Sequence, residues 1–110
     1  MTTIQRLIAV RDALTPLTEN VYHYWRPKMS APFIVWQETG EGDSFSSDNK
    51  KSEQVITGTV DLYSKTEFDP LIDQIQDALR GVDNLGWQLA DAVYEDETGL
   101  IHHSWEFSIA

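Results

Sequence analysis

The sequence predicts an α+β fold: a mainly antiparallel sheet of about five strands with two helices on one face, ordered α-β-β-β-α-β-β. Three observations lead there. The stretch Val55–Leu79, VITGTVDLYSKTEFDPLIDQIQDAL, changes period in its middle. Up to Tyr63 it alternates, with Ile56, Gly58, Val60 and Leu62 on one side and Val55, Thr57, Thr59, Asp61 and Tyr63 on the other. From Phe68 the apolar residues Phe68, Leu71, Ile72, Ile75, Leu79 and Val82 recur at helical spacing. A second helical pattern, Ile4, Leu7, Ile8, Val10 and Leu14, opens the chain. Two strand-like segments, Gly86–Tyr94 and Leu100–Ile109, flank an acidic turn at Glu95–Gly99.

Each element has a local cause. The first helix is expected over Thr2–Leu14, with Thr2 or Thr3 as N-cap and Pro16 ending it. Val21–Trp25 (VYHYW) is aromatic and β-branched and reads as a short strand. Pro27 and Pro32 bracket a loop holding Met29 and Ser30. Phe33–Glu38 (FIVWQE) is the second strand; Phe33 and Val35 face one way, Ile34 and Trp36 the other. With both faces apolar, it is central or covered by a partner. Thr39–Lys51 (TGEGDSFSSDNKK) reads as a long polar loop or hairpin arm, and Gly40–Lys51 is expected to gain order only on assembly.

The third strand is expected over Ser52–Ser64 and the second helix over Glu67–Arg80. Pro70 is tolerated in that helix's first turn, Glu67 and Asp69 suit its positive end, and Gly81 terminates it. Gly99 is available for a left-handed position in the last turn. In the final strand Ile101, His103, Trp105, Phe107 and Ile109 form one largely apolar face; His102, Ser104, Glu106 and Ser108 face out.

At 110 residues the chain is read as one domain, large enough for a core without staples. The absence of cysteine excludes disulfides and thiolate metal sites. No apolar run approaches the roughly 20 residues of a membrane span, so no membrane partner is expected. Arg6 and Arg11 interrupt the apolar residues of the N-terminus, which does not read as a signal peptide. Eighteen acids against eight bases give a net charge of −10. That charge repels phosphates and argues against a sequence-reading DNA binder, though not against a passive DNA conduit. Solubility alone also accounts for it. The charge is uneven: residues 1–36 hold Arg6, Arg11, Arg26 and Lys28 against Asp12 and Glu19, whereas residues 81–110 hold six acids and no Lys or Arg.

No residue set reads as catalytic, cofactor-binding or metal-binding. His102 and His103 are strand neighbours that point to opposite faces and cannot chelate together; His23 alone would add a third imidazole, and no HExxH spacing exists. Asp43–Gln54 lacks the third-position acid, central glycine and closing glutamate of a calcium loop. Asp69, Asp73 and Asp77 share a helix face opposite Ile72, Ile75 and Leu79, and read as a solvated or interface face rather than as an acid–base pair. There is no nucleophile elbow and no phosphate-binding glycine loop. Tyr22, Tyr24, Trp25, Trp36, Trp87 and Trp105 are many aromatics for so short a chain. Two helices on one face cannot cover both sides of the strands carrying Trp25 and Trp36, so some aromatic surface is expected to await a partner subunit.

The segments APFIVWQE (Ala31–Glu38), GTVDLYSKTEFDPLIDQIQDAL (Gly58–Leu79) and HHSWEFSIA (His102–Ala110) resemble the small tail-completion proteins of long-tailed bacteriophages and prophages, also called tail-terminator or head–tail joining proteins. The resemblance covers the length and element order of the whole chain. It implies a non-enzymatic, cofactor-free α+β subunit that assembles into a ring, commonly a hexamer. Such a ring caps the tail tube or joins it to head-connector proteins, and DNA passes through its bore. It also implies a virion location, with assembly in the bacterial host cytoplasm. Two other classes stay open: a small ligand-binding or enzymatic domain with an aromatic pocket, and an acidic DNA-mimic inhibitor.

The uneven charge suggests how subunits would meet. Arg26 and Lys28 of one subunit would face Glu95, Asp96 or Glu97 of the next, around an apolar centre of Trp25 or Trp36. Such a head-to-tail contact closes into a ring when the rotation allows. Exposed ion pairs contribute only roughly 0–1 kcal/mol each, so the aromatics would carry affinity and the charges orientation.

Overall fold

A computed structural model of the chain describes residues 1–28, 30–42 and 54–110. Its elements are α1 (Thr3–Leu14), β1 (Val21–His23), β2 (Phe33–Glu41), β3 (Ile56–Ser64), α2 (Leu71–Arg80), β4 (Leu85–Glu95) and β5 (Leu100–Ile109). The five strands form one sheet in the order β1-β2-β3-β5-β4. β1 runs parallel to β2; every other pair is antiparallel. This is the α+β architecture and element order expected, with one parallel edge.

Both helices cover the same sheet face. Val10 and Leu14 of α1 and Leu71, Ile75 and Leu79 of α2 join one core with Ile34 and Trp36 of β2, Ile56, Val60 and Leu62 of β3, and Trp105, Phe107 and Ile109 of β5. The alternation of β3 is complete: every odd position in the strand is buried and every even one half-buried. Trp105 lies wholly in this core, and its indole N–H donates to Gln76 Oε1 at 3.1 Å, which satisfies the one polar atom the ring brings inside. At Gly58 a Cβ would collide with the Gln37 carbonyl of β2 and the Phe107 ring of β5. The missing side chain is therefore the space that Phe107 fills.

Several boundaries differ from the expectation. Thr2 caps α1 in a capping box: its hydroxyl accepts the Gln5 N–H at 3.1 Å and Gln5 Oε1 accepts the Thr2 N–H at 2.8 Å. The buried stripe of α1 is Arg6, Val10 and Leu14, while Ile4 and Ile8 are exposed. The helix has apolar residues on two sides and only one can face the sheet. Arg6 is accommodated because its guanidinium donates to the Met1 carbonyl and, at 3.0 Å, to Gln54 Oε1.

α2 begins at Leu71, four residues later than expected, with Pro70 as its N-cap. Phe68 is not part of the helical stripe: it has φ +59° and is 87% exposed. Asp69 is buried rather than solvated, unlike Asp73 and Asp77. One oxygen accepts the Leu71 N–H at 2.9 Å and the other the Ser64 hydroxyl at 2.6 Å. It thus ties the end of β3 to the start of α2 in the manner of a cap.

β1 stops at His23, because Tyr24 turns to φ +79° and leaves Trp25 outside the strand. β2 continues to Glu41 past an irregularity between Glu38 and Gly40, so Thr39–Glu41 are strand and not loop. Gln54 and Val55 precede β3, which starts at Ile56. The rest of the expected polar arm, and nearly all of the segment compared with a calcium loop, lie outside the described residues. Gly99 does occupy a left-handed position, φ +71°, and its N–H closes the β4–β5 turn onto the Glu95 carbonyl at 2.8 Å.

Ile75 is wholly buried in the centre of the core. Ile75→Ala is expected to cost about 2–5 kcal/mol in urea unfolding. Gly58→Ala is expected to lower stability by about 1–3 kcal/mol, because a backbone carbonyl and a buried ring must both move. A Gly58→Ala protein as stable as the parent would show that β2 and β5 yield freely at this crossing.

Candidate functional site

Alternation and register bring a polar cluster together on the sheet face that the helices leave uncovered. Phe33, Tyr63 and His102 are direct cross-strand neighbours on β2, β3 and β5. Their rings stack in a row, with centroids 4.9 Å and 4.2 Å apart. Arg26, from the segment that follows β1, lies over this row, its guanidinium carbon 4.4 Å from the Tyr63 ring centre and 5.9 Å from that of Phe33. Its Nη2 also donates to Glu95 Oε1 at 3.3 Å, and the Thr98 hydroxyl donates to the same oxygen at 2.9 Å. His102 Nε2 lies 2.8 Å from Asp61 Oδ1, and His102 Nδ1 lies 3.9 Å from Glu95 Oε2. Arg26 and His102 thus alternate with Asp61 and Glu95 in a chain of polar contacts across four segments. Burial raises the Tyr63 phenol pKa, Asp61 and Glu95 add to that, and the Arg26 charge partly offsets it.

A second cluster lies at the β1 edge. His23 is sandwiched between Tyr24 and Trp36, with ring centroids 3.8 Å and 3.9 Å away, and its Nε2 lies 2.7 Å from Glu38 Oε1. The Glu38 carboxyl is net lowered: burial pushes it up, but hydrogen bonds from Tyr24, its own backbone and His23, with the His23 charge, outweigh that. The Tyr24 phenol is raised, first by its hydrogen bond to Glu38.

These contacts revise the expected subunit interface. Trp36 is 3% exposed and belongs to the core, so it is not an apolar centre for a neighbour. Arg26 and Glu95 meet within one chain. The basic segment after β1 and the acidic β4–β5 turn therefore sit at the same end of the sheet, and Arg26, Glu95, Asp96, Glu97 and Thr98 line one shallow concavity. Trp25, Lys28, Asp96 and Glu97 remain exposed. Arg26 over Phe33 and Tyr63 also explains how β2 is apolar on both faces: the chain's own return segment covers the side away from the helices.

The two histidine–carboxylate pairs carry no signal in the sequence. Outward phase on β3 and β5 placed Asp61 and His102 on one face, but only the register makes them neighbours. The imidazoles of His102 and His103 do point to opposite faces, the first toward Asp61 and the second toward Trp105, 6.0 Å between ring centres. Among the described residues, no group of three or more His, Asp or Glu side chains is arranged to hold a metal ion. Neither His23 nor His102 has a hydroxyl among its described hydrogen-bond partners. A concavity of about 680 Å³ is an open trough on the uncovered face whose lining includes Thr39, Thr57, Thr59, Gln88 and Ser108. Among the described residues, this geometry stacks aromatic rings and pairs Arg26 with Glu95.

His103 carries the clearest pH dependence. Its Nδ1 is buried without a hydrogen-bond partner. Burial lowers its pKa from the ordinary 6.5, His102 lowers it further, and Asp69 opposes them. The folded form therefore holds neutral imidazole, and the unfolded chain takes up the proton first as pH falls. Stability is thus lost progressively below about pH 6.5. In His103→Phe the fall in urea midpoint between neutral and mildly acid buffer is expected to shrink relative to the parent. An identical fall in both proteins would place the titrating group elsewhere.

The chain matches no protein-family model and no curated protein, so its functional reading rests on this geometry and on the sequence.

Proposed function

We propose that this chain is a non-enzymatic structural subunit that self-associates edge to edge into a ring. The class is that of the proteins that terminate a phage tail or join it to the head. The observation that carries the reading is the free edge of β4. This strand is 11 residues long, and no described strand pairs with its outer side. It contains neither Lys nor Pro; exposed Asp91 and the irregularity between Leu89 and Asp91 interrupt it only at its middle, and it exposes Leu89, Val93 and Tyr94 by 47%, 46% and 60%. A long apolar edge of this kind is a template for another chain.

The opposite edge of the sheet supplies a suitable counterpart. β1 is followed at once by Tyr24 and Trp25, 50% and 67% exposed. Following the pairings across the sheet, β1 and β4 run in opposite directions, so β4 of one copy laid beside β1 of the next forms an antiparallel ladder. Two different edges meeting is a heterologous contact, the kind that generates rings. The net charge of −10 suits a passage for DNA, because a bore without cations does not hold phosphates. An enzyme or ligand-binding domain would be favoured by an enclosed aromatic pocket, whereas the described aromatics are packed in the core, stacked along the sheet or exposed.

Sedimentation over a range of concentrations tests the reading. The parent chain is expected to grow from monomer to a closed ring as concentration rises. Leu89→Lys and Tyr94→Lys, both at exposed positions, are expected to leave it monomeric with an unchanged melting temperature. A ring that forms equally well in both variants would exclude β4 as its contact.

A further inference from the structure

Of the eight Lys and Arg residues in this strongly acidic chain, three line a single recess of about 470 Å³. Arg26 and Lys28 reach it from the segment between β1 and β2, and Lys65 from the turn after β3. Among the described residues, no acidic side chain is part of its lining. Ser30 and Thr98 add hydroxyls, and Phe33 and Leu100 close it from the sheet side. Three chain segments distant in sequence thus converge on a concave, basic site with an apolar back wall.

The cations differ in how they are held. Arg26 is fixed by the Tyr63 ring and Glu95. Lys28 and Lys65 are exposed. The paired guanidinium shapes one side of the recess, while the two ammonium groups are free to close on an incoming anion. The neighbouring concavity shares Arg26 and Thr98 but is lined by Glu95, Asp96 and Glu97. A nucleic acid strand extending past the recess would run its phosphates along those three carboxylates. A short peptide with one or two carboxylates beside an apolar residue would not, and its apolar side chain has the Phe33–Leu100 wall to lie against.

We propose that this recess is a docking site for an acidic peptide segment of a partner protein, with carboxylates on Lys28 and Lys65 and an apolar side chain toward the back wall. The site is present on the single subunit and does not depend on ring formation.

Fluorescence anisotropy with the full chain tests it, using a labelled Asp-Leu-Glu-Phe peptide, its Lys-Leu-Lys-Phe counterpart and a labelled oligothymidylate of similar length. Saturable binding of the acidic peptide alone is expected, weakened by high salt through screening. The double variant Lys28→Glu, Lys65→Glu is expected to lose roughly tenfold or more in affinity, since both charge-assisted contacts become repulsive. The double variant Arg11→Glu, Arg80→Glu makes the same change in net charge at exposed positions outside the recess and is expected to bind like the parent; thermal melts confirm that both variants fold. No saturable binding, preference for the oligothymidylate, or equal loss in the two double variants would each overturn the proposal. The outcome separates from that of the ring: a strict monomer that binds the peptide removes only the ring, and a ring that does not bind it removes only this site.

Discussion

In β3 every second side chain is buried, and a slip of one residue would turn Ile56, Val60 and Leu62 toward the uncovered face. That constraint organises the rest. β3 is the central strand, with β2 on one side and β5 on the other, so its phase sets theirs through the register. Ile34 and Trp36 fall opposite Leu62 and Val60, and Trp105 falls opposite Val60 from the other side. Both helices then have one apolar surface to cover. Gly58 is the exception that fits the rule: the phase points it inward, and the neighbouring Phe107 occupies the space.

The same phase that fills the core leaves polar residues on the other face. Asp61, Tyr63 and His102 lie there because Val60, Leu62 and His103 lie inside. The segment after β1 then folds over this face and brings Arg26 onto the ring row and to Glu95. Charges that lie far apart in sequence are thereby neutralised within the subunit. What is left for other molecules is different: the apolar edge of β4, the exposed Tyr24 and Trp25, and the lysines of the basic recess. A buried or internally paired charge adds little to a new contact, whereas exposed apolar area and unengaged cations do.

Much of the fold is legible from periodicity. The eight residues Ile56, Val60, Leu62, Leu71, Ile75, Leu79, Trp105 and Phe107 can be assigned to the core from spacing alone, and all eight are buried. The errors cluster where two local rules compete. Phe68 continues the helical spacing of α2, but Asp69 caps the helix from within the turn and leaves Phe68 in solvent. Ile4 and Ile8 form as good a stripe as Val10 and Leu14, and only packing against the sheet selects between them. Of the residues expected at a subunit contact, Trp36 reads as surplus aromatic area because the sequence does not show that His23 stacks on it.

The sequence by itself determined the element order, the inward face of each long strand and the absence of a nucleophile motif. Each follows from covalent alternation or from residue type. Only the tertiary structure decided the direction of β1, the strand order, the placement of Arg26 over the uncovered face and the convergence of Lys28 and Lys65 on one recess. Those depend on which distant segments are neighbours. Such pairings are set by how the apolar faces of the whole chain can be covered at once, and no local window of the sequence contains that information.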